Sequence, residues 1–228
     1  MVITMNVKNY LYCYKMTHDT GFAPNPYNKV LTLATCKPTI RRCAKENYWV
    51  SGWTAVSVQG KDNKRFEFRE GERLIYLAKV SEVIKIEDYW NDERFKDKKP
   101  ILMHNGKPVS QQGCGNKKKD DEEDYCYNSG DNIYEPIGGD PMKFKQHPNG
   151  GGHGENDIEH DLSGNNVLIC EEFYYFGVEN AVEVKNKPKI PRCKKIELES
   201  EDARNIIETI TKNYPVGIYE NNTKQERV

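Results

Sequence analysis

The chain has 228 residues, enough for one large domain with a real core, and its 34 basic and 35 acidic side chains nearly cancel. That balance argues against wholesale electrostatic binding along nucleic acid, which needs a clear basic excess, and leaves only a local basic groove open. With 14 tyrosines and 11 % aromatic residues the composition is not that of a disordered chain. No apolar run approaches the roughly 20 residues of a membrane span, and residues 1–6 lack the features of a signal peptide. A cytoplasmic address is therefore expected, with the seven cysteines reduced. None forms a C-x-x-C pair, so neither a disulfide framework nor a zinc knuckle is indicated.

Residues 8–16 are rich in β-formers and predict an opening strand, broken by the turn chemistry of residues 17–21. Pro24 and Pro26 keep residues 22–27 extended, and residues 30–35 predict a second strand. Pro38 near the start of residues 37–44 predicts a single helical turn. Residues 48–57 read as a buried strand, 60–64 as an exposed turn, and 73–84 as the strongest strand in the chain. A short helix at 86–91 and a charged loop at 92–100 follow. Residues 105–130, with the run from Lys117 to Asp124, read as a flexible charged insertion. Strands are expected at 131–134 and 167–176, separated by a long irregular segment at 138–166. Ser200 as N-cap, acids in the first turn and Ala203, Ile206, Ile207 and Ile210 on one face predict a helix at about 200–213, stopped by Pro215. The pattern is that of an α+β fold in one domain over 1–228. It has a mixed, mainly antiparallel sheet, a few short helices and long functional loops.

Several residues carry chemistry. Asp19, at a strand end, suits a general base or an acceptor for a base edge, and an Asx-turn accounts for it as well. Lys37, Arg41 and Arg42 suit phosphate oxygens, or form a solvated basic face. Trp49 and Trp53, four apart on a strand, share a side and either stack a base or pack a core. Asn132, beside Asp131, offers the donor and acceptor that read an adenine edge, or a turn. The loop 147–161 holds three of the five histidines with four carboxylates. That mixture suits a divalent metal, or His153 as a general acid or base, but the spacing matches no known ligand set and no metal is assigned. Gly150 to Gly152 lack the lysine and the strand–helix setting of a phosphate-binding loop. The basic residues from Lys185 to Lys195 read as an exposed linker or a backbone contact. Each cysteine reads first as an ordinary thiol. Cys36, with Lys37 as a cationic neighbour, is the one hint of a reactive one.

Three groups of residues together resemble a family. Residues 14–26, from Tyr14 through Asp19, Phe22 and Pro24 to Pro26, lead into 31–41 with Cys36, Lys37, Pro38 and Arg41. Tyr89 to Phe95 follow with Lys99 and Pro100. Gly130 to Tyr134 then precede a His-containing loop and residues 167–177. In this order the chain resembles the nucleotide modification associated domains of the second type over about residues 10–190. Members are inferred, largely from gene context, to act in modifying DNA bases; a phage or mobile-element interaction protein on the same scaffold is a further reading. The resemblance implies a pocket in which Lys37 and Arg41 hold phosphate and Asp131 and Asn132 orient base or sugar. Asp19 or His153 would move protons, with Asn156 nearby. It implies a nucleotide or nucleic acid as partner, DNA in preference to RNA, and names no cofactor. Residues 48–53 with 74–83 are also similar to PUA-like barrels of the EVE and ASCH type, although Glu46 and Asn47 stand where a Gly-Asp turn is usual. That second resemblance implies a non-catalytic reader of modified bases through Trp49 and Trp53.

Overall fold

The computed structural model describes residues 8–104, 107–108, 125–138 and 140–220. The expected charged insertion at 105–130 lies outside these, apart from residues 107–108 and 125–130. In chain order the first strands and helices are β1 (Tyr10–His18), β2 (Leu31–Leu33), α1 (Pro38–Cys43), β3 (Trp49–Gln59), β4 (Arg65–Glu67), β5 (Leu74–Lys79), β6 (Glu82–Lys85) and α2 (Ile86–Asn91). Next come β7 (Leu102–His104), β8 (Lys107–Pro108), β9 (Tyr125–Tyr127), β10 (Tyr134–Ile137), β11 (Asp140–Gln146) and α3 (Ile158–Leu162). The last are β12 (Asn166–Cys170), β13 (Glu172–Tyr175), β14 (Cys193–Glu197), α4 (Glu201–Thr211) and β15 (Gly217–Ile218).

Seven strands make the main sheet, in the order β14-β1-β3-β5-β13-β15 with β4 added to β3. Only the β1–β3 and β13–β15 pairs in it are parallel. β1 is buried on both faces because it lies inside this sheet, and its alternate residues face two different cores. Leu11 and Cys13 pack with Trp49, Trp53 and the Ala203, Ile206 and Ile210 stripe of α4. Tyr12, Tyr14 and Met16 pack against Leu31, Leu33, Leu168 and Cys170 of a smaller sheet, β2-β12-β6. The far face of that sheet, Val167 and Ile169, meets Ile86 and Tyr89 of α2 together with Phe95 and Tyr134. The layers therefore run α4, main sheet, small sheet, α2. Each large side chain buried between them contributes roughly 1.5–3 kcal/mol.

The fold is α+β with mostly antiparallel sheets and few short helices, and the described strands close no barrel. Residues 73–84 and 167–176, each expected as one strand, are two strands apiece. β5 pairs β13 in the main sheet and β6 pairs β12 in the small one, so a single ladder bends between layers. Ser81 makes the bend: its N–H donates to Ile169 O at 2.8 Å and its hydroxyl accepts from Glu171 N–H at 3.0 Å. Residues 93–98, expected as loop, are 3-10 helix started by the Asp92 carboxylate on Arg94 N–H. The expected strand at 131–134 begins only at Tyr134, and the irregular segment 138–166 contains β11 and α3. No helix among the described residues is long and apolar enough to cross a membrane.

Candidate active site

β2 and β12 run antiparallel, so the chain leaving β2 and the chain entering β12 meet at one end of the small sheet. Leaving β2, Cys36 (φ 54) and Lys37 (φ 41) take left-handed backbone, uncommon for residues with a side chain, and turn the chain into α1 at Pro38. Arriving at β12 are α3, which carries Asp161, and the turn after it. The Arg41 guanidinium, fully buried, ties the two together. Its Nε–H donates to Cys36 O at 2.7 Å, and its Nη1 group to Ala34 O at 2.6 Å and Asn166 O at 2.9 Å. Its Nη2 group donates to Asp161 O. Burial lowers the Arg41 pKa to about 10, with the Asp161 charge opposing, so Arg41 stays cationic at neutral pH. Gly164 leaves room for it, because a Cβ there overlaps the guanidinium.

The third strand of chain reaching this corner is the Gly-rich loop. Asn149 folds it: Oδ1 accepts from Gly151 N–H at 3.0 Å and His153 N–H at 3.2 Å, and Nδ2 donates to His153 O at 2.9 Å. Gly151 lies so close to the Phe22 ring that no side chain fits, and that ring sits 4.9 Å from the His153 imidazole. His153 is thereby held with Nδ1 2.7 Å from Asp161 Oδ2 and Nε2 3.4 Å from Cys36 Sγ. Asp161 Oδ1 accepts from Cys36 N–H at 2.7 Å, and Tyr134 donates its hydroxyl to Oδ2 at 2.9 Å.

A thiol, an imidazole and a buried carboxylate thus stand in series. Burial works against a charged His153, but its hydrogen bonds to Asp161 and Cys36 outweigh that and raise its pKa to about 10. Burial likewise opposes ionisation of Asp161, yet the His153 contact, the Cys36 amide and the Tyr134 hydroxyl hold its pKa below the ordinary value. At neutral pH the pair is imidazolium and carboxylate. A carboxylate behind the ring fixes the orientation of the imidazole, which presents its other nitrogen to the thiol. The three donor atoms lie within 4.8 Å of one another, which also invites a metal. The imidazole, however, lies between sulfur and carboxylate and gives one nitrogen to each. A shared ion needs all its donors turned to one point.

Of the residues expected to line a site, His153 reaches the Cys36 thiol and Arg41 its carbonyl, while Lys37, next in the chain, places Nζ 4.8 Å from the centre of the Tyr14 ring. Arg41 has four carbonyl partners where phosphate oxygens were expected, so it braces the corner. Asp19 is buried, accepting from the Tyr175 hydroxyl and Val178 N–H, both at 2.6 Å, and burial pushes its pKa up to about 6. Asp131 accepts from the hydroxyls of Thr32 at 2.7 Å and Tyr89 at 2.8 Å, and Asn132 donates to Tyr89 O at 2.9 Å. Trp53 is fully buried, with Nε1–H on Ser51 Oγ at 2.9 Å, and Trp49 packs in the same core. Asn156 sits on the exposed 3-10 turn Glu155–Asp157. Asp161 was not singled out by sequence reasoning. Its only signal was its place in a loop dense in histidine and carboxylate.

The family model described as nucleotide modification associated domain 2 matches residues 8–116 and 109–220. No curated protein matches the chain, and no solved structure matches it.

Proposed function

The chain belongs to the nucleotide modification associated domain 2 family, and on that footing we propose that it modifies a nucleotide by acyl transfer through Cys36. The observation that carries this reading is the His153 imidazole, with one nitrogen on Cys36 Sγ at 3.4 Å and the other on Asp161 at 2.7 Å. Nucleophile, base and orienting carboxylate in hydrogen-bonded series is the arrangement of acyl-transfer enzymes on unrelated folds.

In the proposed reaction the Cys36 thiolate attacks the carbonyl carbon of an amide or ester acyl donor, the second substrate, and the C=O π electrons move to oxygen. His153 Nε2–H gives its proton to the departing amine or alcohol as the carbonyl re-forms, leaving a thioester on Sγ. His153, now neutral, takes a proton from the amino group of a nucleotide as that nitrogen attacks the thioester. Sγ leaves as thiolate, the acyl group stays on the nucleotide, and His153 is again imidazolium. Asp161 holds the ring in position and stabilises its charged form. Arg41 acts through the backbone carbonyls that it fixes. A reader built on Trp49 and Trp53 has less support, since both indoles are buried in the core.

The test is mass spectrometry of nucleosides from host DNA, with the wild-type protein or C36A expressed alongside its genomic neighbours. The expected result is a modified nucleoside of higher mass that disappears in C36A and in H153A. A modified nucleoside that persists in C36A overturns the reading.

A further inference from the structure

Behind the triad stands a second layer of hydrogen-bond donors. Tyr134 opens β10 and is the register partner of Gln146 on β11. Its side chain is buried, with the ring edge-on to Phe144, and its hydroxyl donates to Asp161 Oδ2 at 2.9 Å. Gln146 Nε2 donates to that hydroxyl oxygen at 3.1 Å and to the carbonyl of Gly154, the residue after His153, at 3.3 Å. What each partner can do fixes the direction of these bonds. The Gly154 carbonyl only accepts, so the Gln146 amide turns its nitrogen toward it and commits its hydrogens to Gly154 and Tyr134. The phenol oxygen, already accepting, directs its one hydrogen to the carboxylate, which also only accepts. Burial, and then the Asp161 charge, hold the Tyr134 pKa well above its ordinary value, so that hydrogen stays in place at neutral pH.

Asp161 Oδ2 is therefore shared by two donors, the Tyr134 hydroxyl and His153 Nδ1–H, while Oδ1 takes Cys36 N–H. An oxygen that only accepts keeps a proton on Nδ1 in both charge states of the ring. Nε2, which faces Cys36, is then the nitrogen that gains and loses one. Two donors on one oxygen also divide its charge, so the phenol limits the pull of the carboxylate on the imidazolium. The remaining charged neighbour, Arg41, bonds the Asp161 carbonyl and not its carboxylate. We propose that Tyr134, its hydroxyl aimed by Gln146, is a positioning residue for the acyl transfer: it orients Asp161 and shares the charge of Oδ2, so that Nε2 can release its proton to the departing group. The inference rests on His153 serving Cys36 as acid and base.

The experiment is an NMR pH titration of His153 in the full chain, as wild type, Y134F, Q146L and the double variant, with the urea midpoint of each. Y134F keeps the buried ring and removes the hydroxyl alone. It is expected to raise the proton affinity of His153 by roughly threefold to tenfold, because Oδ2 then serves the imidazolium alone. Q146L frees the hydroxyl to turn and should raise the affinity less; added to Y134F it should raise it no further. A merely structural Tyr134 would lower the urea midpoint and leave the His153 titration where it stands, and an affinity unchanged or lowered in Y134F overturns the proposal. Should Y134F not fold, an unchanged titration in Q146L overturns it instead. An equal rise from Q146L with and without the Tyr134 hydroxyl overturns the link between the two residues. Failure of the acyl-transfer reading is visible separately, as a modified nucleoside that persists in C36A, which the titration does not touch.

Discussion

The charge state of the candidate site turns on one hydrogen bond, from His153 Nδ1 to Asp161 Oδ2 at 2.7 Å. The folded pKa of His153, about 10, lies above its ordinary 6.5, so its contribution to stability is complete below pH 6.5 and disappears as pH rises through 10. Asp161 is shifted the other way, below 3.8, so its contribution is present above that value and is lost as pH falls further. Both contributions stand together between those limits. In D161N the imidazolium loses its carboxylate while the burial that opposes charge remains. The His153 titration, followed by NMR, should therefore move from near pH 10 to lower pH in that variant. An unchanged midpoint would show that Asp161 does not set the state of the ring. Sequence reasoning reached His153 as an acid or base because imidazole chemistry is local to one residue. It left Cys36 as a hint, because the partner that activates a thiol need not be near it in sequence.

At the scale of elements, the site is a corner where β2, α1 and α3 are held by Arg41. The sequence cluster of Lys37, Arg41 and Arg42 looks like a phosphate cradle, and only the pairing of β2 with β12 reveals that Arg41 faces inward onto four carbonyls. R41M keeps much of the volume but leaves those oxygens buried and unpaired, for a predicted loss of about 3–5 kcal/mol in denaturant unfolding. A loss under about 1 kcal/mol would mean that the corner does not depend on Arg41. Elements whose signals are local were legible. α4 has Ser200 Oγ accepting from Ala203 N–H at 3.3 Å and an apolar stripe at helical spacing, and it forms nearly where expected. The strand through Ser81 was read as continuous because β-propensity does not record which sheet a residue joins. The bend there depends on Ile169 and Glu171, far along the chain.

For the molecule as a whole, the layering of α4, main sheet, small sheet and α2 brings residues 36, 153 and 161 to one place. The α+β class follows from composition and strand patterns, and the family resemblance rests on motifs that span the same elements. The triad is different in kind. It requires the antiparallel register of Leu33 with Leu168, the close approach of Gly151 to Phe22, and a loop folded on Asn149. None of these has a signature in the order of residues. The central claim, that the folded protein makes a nucleophile of Cys36, is tested most directly by peptide-resolved alkylation with iodoacetamide near neutral pH. Cys43, Cys126 and Cys193 are exposed and serve as internal references, whereas Cys36 is only partly so. The account predicts that Cys36 reacts faster than all three, by about tenfold or more, and that H153A removes the advantage. A Cys36 that reacts more slowly than the exposed thiols, or at a rate indifferent to His153, would contradict it.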